Sequence, residues 1–197
     1  MIRAGLKALL VPALGGLLYL FTNIAVGQES FKMEMPLRCT QSSDCWIVNY
    51  VDLDPTSSIT DYSCGVATYD KHKGTDIAIM DADVMRQGVE VFASAAGIVK
   101  GTRNNMRDID FNMGGGAASV QGKECGNGVV IDHGSGWTTQ YCHMLRESVS
   151  VNTGDTVETG QTLGLIGLSG KTEFPHLHIQ VKYNEQVVDP FAGLQRN

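Results

Sequence analysis

Gly128-Val129-Val130-Ile131-Asp132-His133-Gly134-Ser135-Gly136-Trp137-Thr138-Thr139-Gln140-Tyr141-Cys142-His143 is two β-prone runs around a glycine turn. Val, Ile, Thr and Tyr suit a pleated, half-buried surface, and Gly-Ser-Gly supplies the positive φ of a tight reversal. The stretch predicts strands over 128–133 and 138–143, joined as a hairpin. The same texture extends outward. Short apolar runs at 89–93 and 97–100 precede it, and 148–151, 156–157 and 162–166 follow, with Gly154-Asp155 and Thr159-Gly160 as turns. A last strand is expected over 176–183, with Asn184-Glu185 turning into Val187-Val188. Glycine, at 23 residues against five prolines, fits many tight turns. Only 82–87 reads as helical. The pattern predicts a mostly β, antiparallel sheet or sandwich, and 197 residues leave room for one ordinary domain.

Composition narrows the function classes. A hydrophobic fraction of 43 % excludes a disordered chain. A net charge of −6 without a Lys/Arg-rich run excludes wholesale nucleic-acid binding. Residues 1–27 carry Arg3 and Lys7, then an apolar run, then Ala25-Val26-Gly27, which is the order of a secretory signal peptide. An uncleaved membrane anchor is the alternative, weakened by Pro12, Gly15 and Gly16. Cleavage takes the formal charge from −6 to −8 and leaves no stable membrane span. Residues 28–63 read as an irregular lead-in and 64–197 as the functional domain. Within it, 102–123 is a long polar loop carrying Gly114-Gly115-Gly116.

The five cysteines all follow the signal segment, in a compartment where disulfides persist. An odd number allows at most two bridges within one chain. Cys125 and Cys142 flank the hairpin and are the favoured pair. Cys39 with Cys45 closes a short loop and comes second, leaving Cys64 over; Cys45 with Cys64 is the alternative. No C-x₂-C pair exists, which argues against a zinc finger.

Four of the five histidines stand in metal-like spacing. His72-Lys73-Gly74-Thr75-Asp76 sets an imidazole four residues before a carboxylate, within reach of one ion. Pro175-His176-Leu177-His178 begins a strand, so both imidazoles share a face while Leu177 and Ile179 take the other. In Tyr141-Cys142-His143 the same alternation places His143 with Tyr141 and Cys142 opposite. His133, at the end of its strand, reads as structural. Two histidines and one carboxylate leave zinc an open fourth position, the catalytic arrangement. No H-E-x-x-H helix is present to supply the glutamate base of helical zinc proteases.

Together these residues resemble a known family. His72-x₃-Asp76, the run Gly126 to Gly134, Tyr141-x-His143, Gly154-Asp155-x-Val157-x-x-Gly160-Gln161-x-x-Gly164 and His176-Leu177-His178 follow the order and rough spacing of the lysostaphin-type (LytM-like) zinc metallopeptidases. The resemblance implies an antiparallel sheet of the lysostaphin-like (duplicated hybrid motif) type, with long loops around a zinc groove. It implies one zinc per chain held by His72, Asp76 and His178, with His143 and His176 assisting catalysis. The implied substrate is the stem or cross-linking peptide of peptidoglycan. An exported, periplasmic enzyme would then meet D-alanine joined to meso-diaminopimelate; a secreted lysin with another bond specificity and a catalytically inactive regulator of other hydrolases are the alternatives. A hairpin such as 154–161 also occurs in biotinyl- and lipoyl-type carriers, which the His-x-His pair opposes. Three features depart from the family pattern: an insertion at 81–88, Thr172-Glu173-Phe174 before the His-x-His pair, and the long loop at 102–123. With a charge of −8, binding rests on the groove rather than on attraction to an anionic wall. Oligomeric state is open.

Overall fold

The computed structural model describes residues 31–194. The expected signal segment, 1–27, lies outside them. In chain order the elements are β1 (Cys45–Asn49), β2 (Thr75–Ile79), α1 (Ala82–Gln87), β3 (Glu90–Phe92), β4 (Gly97–Arg103), β5 (Asn127–Gly134), β6 (Trp137–Met144), β7 (Thr156–Val157), β8 (Thr162–Leu165), β9 (His176–Tyr183) and β10 (Gln186–Val188). Seven strands run β1-β2-β9-β6-β5-β4-β7, with β10 also on β9, as one eight-stranded sheet; β3 and β8 form a second, two-stranded sheet. Every strand pair is antiparallel. The expected mostly β, antiparallel fold is what forms. Among the described residues no helix is long and apolar enough to cross a membrane.

One face of the large sheet is apolar. Val99, Val129, Ile131, Tyr141, Leu177 and Ile179 share a buried cluster with Val91 of β3 and Leu163 of β8. The Tyr141 hydroxyl, buried in that cluster, accepts the Ser94 amide at 2.7 Å, so burial leaves it satisfied. His133 is structural as expected: its ring nitrogens reach the Ala96 carbonyl and Thr139 Oγ1, each at 2.8 Å. The hairpin turn is left-handed through Gly134, Ser135 and Gly136, and Asn184-Glu185 closes the β9–β10 hairpin with positive φ at both residues. The 81–88 insertion is α1 itself, capped by Asp81, which accepts from the amides of Asp83 and Val84.

The structure corrects three local expectations. The lead-in 28–63 is not wholly irregular, because β1 lies inside it and pairs with β2. Neither strand announces itself: β2 is buried on both faces and lacks alternation. Residues 148–151 form no strand, because the Asn104 side chain takes both backbone groups of Val149, donating to its carbonyl at 3.1 Å and accepting its amide at 3.0 Å. The loop expected at 102–123 begins after Arg103. It is tied down by the Asp108 carboxylate, which accepts the amides of Leu168 and Arg146 at 2.9 and 2.8 Å.

Both favoured disulfides form, Cys39–Cys45 and Cys125–Cys142, and Cys64 is free and exposed.

Candidate metal centre

The outer face of the large sheet carries the chemistry. In the β2–β9 register Asp76 lies opposite His178 and Ala78 opposite His176. Strand alternation therefore turns His176 and His178 outward while Leu177 and Ile179 enter the core. His72 precedes β2 and folds back over it. His178 Nδ1 stands 2.8 Å from Asp76 Oδ1, His72 Nε2 stands 3.2 Å from the same oxygen, and the two ring nitrogens are 3.2 Å apart.

That donor set fits a cation. Two imidazole lone pairs and a carboxylate this close repel unless a proton or cation lies between them. A tetrahedral zinc with bonds of about 2.1 Å spaces its ligands by roughly 3.4 Å, close to the separations observed. The supporting contacts point the same way. His72 Nδ1 donates to the Tyr50 carbonyl at 2.6 Å, which leaves Nε2 bare and aimed at the centre. Asn49 Nδ2 donates to Asp76 Oδ2 at 3.0 Å, leaving Oδ1 to the histidines. Gly74 is required by close approach: a Cβ there would lie 2.6 Å from His178 Cε1 and Nε2 and from the Ile179 carbonyl oxygen. Asp76 is buried, and burial alone would raise its pKa. The imidazoles of His176, His178 and His72 drawn around its Oδ1 outweigh that and hold it well below the carboxylate range.

His143 and His176 flank this set, their ring centroids 4.7 Å apart, and the His143 ring is 5.9 Å from that of His178. His176 Nδ1 donates to the Phe174 carbonyl at 3.0 Å with Thr172 Oγ1 at 3.1 Å, and the Phe174 ring packs on the imidazole at 4.7 Å. The unusual Thr172-Glu173-Phe174 thus orients His176, whose Nε2 comes within 3.5 Å of Asp76 Oδ1.

His143 reaches the site by a different route from the expected one. Alternation put it with Tyr141, but Tyr141 faces the core and Cys142 faces the groove, directly across from His178. His143 joins the groove only because its backbone is left-handed, with φ of 61°, which costs a non-glycine residue about 1–3 kcal/mol. Its amide donates to the Cys125 carbonyl at 2.8 Å and its Nδ1 to the Ser169 carbonyl at 2.8 Å. Gly126, at φ of 68°, makes room for that carbonyl, since a Cβ would sit 2.2 Å from it. Burial, then the positive potential of His176 and His178, pushes the His143 pKa down to about 3. The Ser169 carbonyl takes the Nδ1 proton, which leaves the His143 Nε2 lone pair without a hydrogen bond among the described contacts.

Of the five singled-out residues, His72, His143 and His178 line a cleft of roughly 510 Å³ together with Tyr69, Gln140 and Gln180, and Asp76 and His176 lie buried beneath them. Tyr69 stacks on His72 at 4.3 Å, and burial together with the Asp76 charge raises its pKa to about 12. Asn49, Tyr50 and Ser169 were not anticipated. Two act through backbone carbonyls, which leave no mark in side-chain spacing, and Asn49 lies in the segment read as irregular.

The chain is 34 % identical over 110 residues to the peptidoglycan DD-endopeptidase ShyA of Vibrio cholerae, a match covering 56 % of this chain and 20 % of that protein. It is 31 % identical over 127 residues to the DD-carboxypeptidase/endopeptidase Mpg of Neisseria meningitidis, covering 64 % and 23 %. The chain thus spans about a fifth of the length of these curated relatives. Among solved structures, that of the SpoIIQ–SpoIIIAH pore-forming complex superposes with a TM-score of 0.55 at 20 % identity, covering 83 % of this chain and 93 % of the other, a likeness of fold. Residues 70–190, from just before His72 to just past β10, match the description Peptidase family M23, and the chain belongs to that family.

Proposed function

We propose that the chain is a zinc-dependent endopeptidase that hydrolyses peptide cross-links of peptidoglycan, the D-alanyl–meso-diaminopimelate bond first. The observation that carries this reading is the convergence of His72, Asp76 and His178 at a cleft of an M23 chain, with the imidazoles of His143 and His176 beside them. Similarity to proteins named as peptidoglycan DD-endopeptidases supports the substrate. On this reading residues 1–27 are removed on export, residues 64–197 form the peptidase, and the enzyme works in the periplasm.

When bound by His72, Asp76 and His178, zinc supplies Lewis acidity, polarising the scissile carbonyl and lowering the pKa of an attacking water. The protein's own groups do the rest. His143, neutral and with Nε2 facing the cleft, takes the proton of the attacking water. His176, oriented by the Phe174 carbonyl and Thr172, stands where it can donate to the developing oxyanion or the leaving amine. Asn49 and Tyr50 hold the ligands in place, and Tyr69 covers His72 on the cleft side.

Digestion of purified sacculi, followed by mass spectrometry of the released muropeptides with and without a zinc chelator, tests the reading. Cross-linked dimers are expected to fall to monomers in the untreated sample and to persist with chelator. Dimers left intact in both would overturn the endopeptidase, and cleavage within pentaglycine bridges but not direct cross-links would replace the bond assignment with that of a lysin.

A further inference from the structure

One disulfide lies in the cleft rather than behind it. Cys125 and Cys142 line the same cavity as His72, His143 and His178. Cys142 faces His178 across the β6–β9 register and immediately precedes His143. The Cys125 carbonyl accepts the His143 amide at 2.8 Å. The bridge closes the open end of the β5–β6 hairpin, over a separation of 17 residues. At that end the pairing is already irregular, the register slipping between Asn127 and Val129. His143, one residue before the end of β6, must hold a left-handed backbone there. The metal donors are placed otherwise, by β2, β9 and the Tyr50 carbonyl. The second bridge sits at the β1 edge of the sheet, with β2 and β9 between it and β6, where Cys45 begins β1 and pairs with Ile79.

We propose that the Cys125–Cys142 disulfide is a positioning device for His143, fixing the Cys125 carbonyl against the His143 amide and so holding that imidazole over the donor set. The inference rests on the reading of His143 as the proton acceptor and deepens it. Competence for proton transfer follows the state of this bridge, whereas loading of the metal does not. Cross-linking withdraws the separated hairpin ends from the accessible states, so the strained conformation of His143 persists without tighter packing.

The test uses the full chain carrying Cys39→Ala and Cys45→Ala, in which the bridge at the edge of the sheet is gone and only Cys125–Cys142 can be reduced. Dithiothreitol opens it, passing two electrons and two protons to the cysteines and closing on itself as a cyclic disulfide. Opening is confirmed by a thiol count. Three quantities are read in each state: zinc content, kcat and KM on a cross-linked muropeptide dimer, and the imidazole resonances by NMR. On reduction, zinc and KM are expected to stay, kcat to fall about 10²-fold, and the His143 resonances to shift and broaden while those of His72 hold. Reoxidation restores all three, and the variant Cys125→Ala/Cys142→Ala behaves as the reduced form. Unchanged kcat and unchanged His143 resonances after opening would overturn the proposal, as would loss of zinc together with activity, which marks a merely structural bridge. An oxidised protein that cuts no cross-link sinks the peptidase reading instead, and the His143 resonances then decide this one alone.

Discussion

The floor and the rim of the cleft are built by opposite means. On the floor, Asp76 and His178 face each other because β2 and β9 keep strict register, and the donor atoms follow from strand alternation. On the rim, His143 depends on a left-handed residue and His176 on a loop carbonyl. Asp76, His178 and the His176 backbone are placed by the pairing that makes the sheet, whereas the rings of His72, His143 and His176 each lean on one backbone carbonyl, of Tyr50, Ser169 and Phe174 in turn. On the proposed reading, metal binding and proton transfer rest on different parts of the fold, although their imidazole rings lie within 6 Å of one another.

The strongest break in that comparison comes from removing one group on each side. Asp76→Ala is expected to lose zinc and activity together, because Asp76 Oδ1 is the point on which the histidines converge. His143→Ala is expected to keep zinc by elemental analysis and lose about 10²–10⁴-fold in kcat. Full activity of His143→Ala on purified wall would end its proton-transfer role.

A smaller effect sharpens the floor. Asn49→Ala deprives Asp76 Oδ2 of its donor and is expected to weaken zinc about 10–100-fold, measured by competition with a chromogenic chelator, with the thermal midpoint little changed. Affinity equal to the parent protein would show that the carboxylate is held by the sheet alone.

The smallest effect concerns the support behind the floor. Asp61 is held at a pKa of about 2, first by the Ser63 hydroxyl, against burial, and then by the amides of Gly65 and Ala67. Ala67 in turn accepts the Tyr50 amide. Since the folded pKa is below the ordinary 3.8, the folded form binds this proton less readily than the unfolded chain does. The contribution is complete above that value and is lost as pH falls towards 2. Exchange protection of the Ser63, Gly65 and Ala67 amides, corrected for intrinsic rates, should therefore vanish between pH 5 and pH 2. Asp61→Asn should lack the pH dependence; protection unchanged at pH 2 would show that the loop does not lean on this carboxylate.

Much of the floor was legible in the sequence because it obeys periodicity. His-x-His in a strand states its own geometry, and the hairpin over 128–143 sets the neighbours. His143 is grouped with the site by its spacing and by the family resemblance, but alternation assigns it the wrong face, since a single positive φ reverses alternation and no residue type signals it. β1 and β2 escaped notice for opposite reasons: one is embedded in polar turns, the other is too uniformly buried to alternate. The pair Cys125 and Cys142 was legible because a hairpin brings its ends together whatever its detailed register.

The donor atoms of the floor are separated by 102 and 106 residues along the chain. Such contacts form late, since the closure entropy of a long loop is met before any reward arrives. β9 lies between β2 and β6, so the largest sheet is also incomplete until the final third of the chain has been incorporated. A chain still emerging, or cut before His176, holds one imidazole and one carboxylate of the set and no assembled cleft. The candidate metal centre therefore comes into being only with the finished fold, a timing that denies fragments whatever chemistry the centre carries.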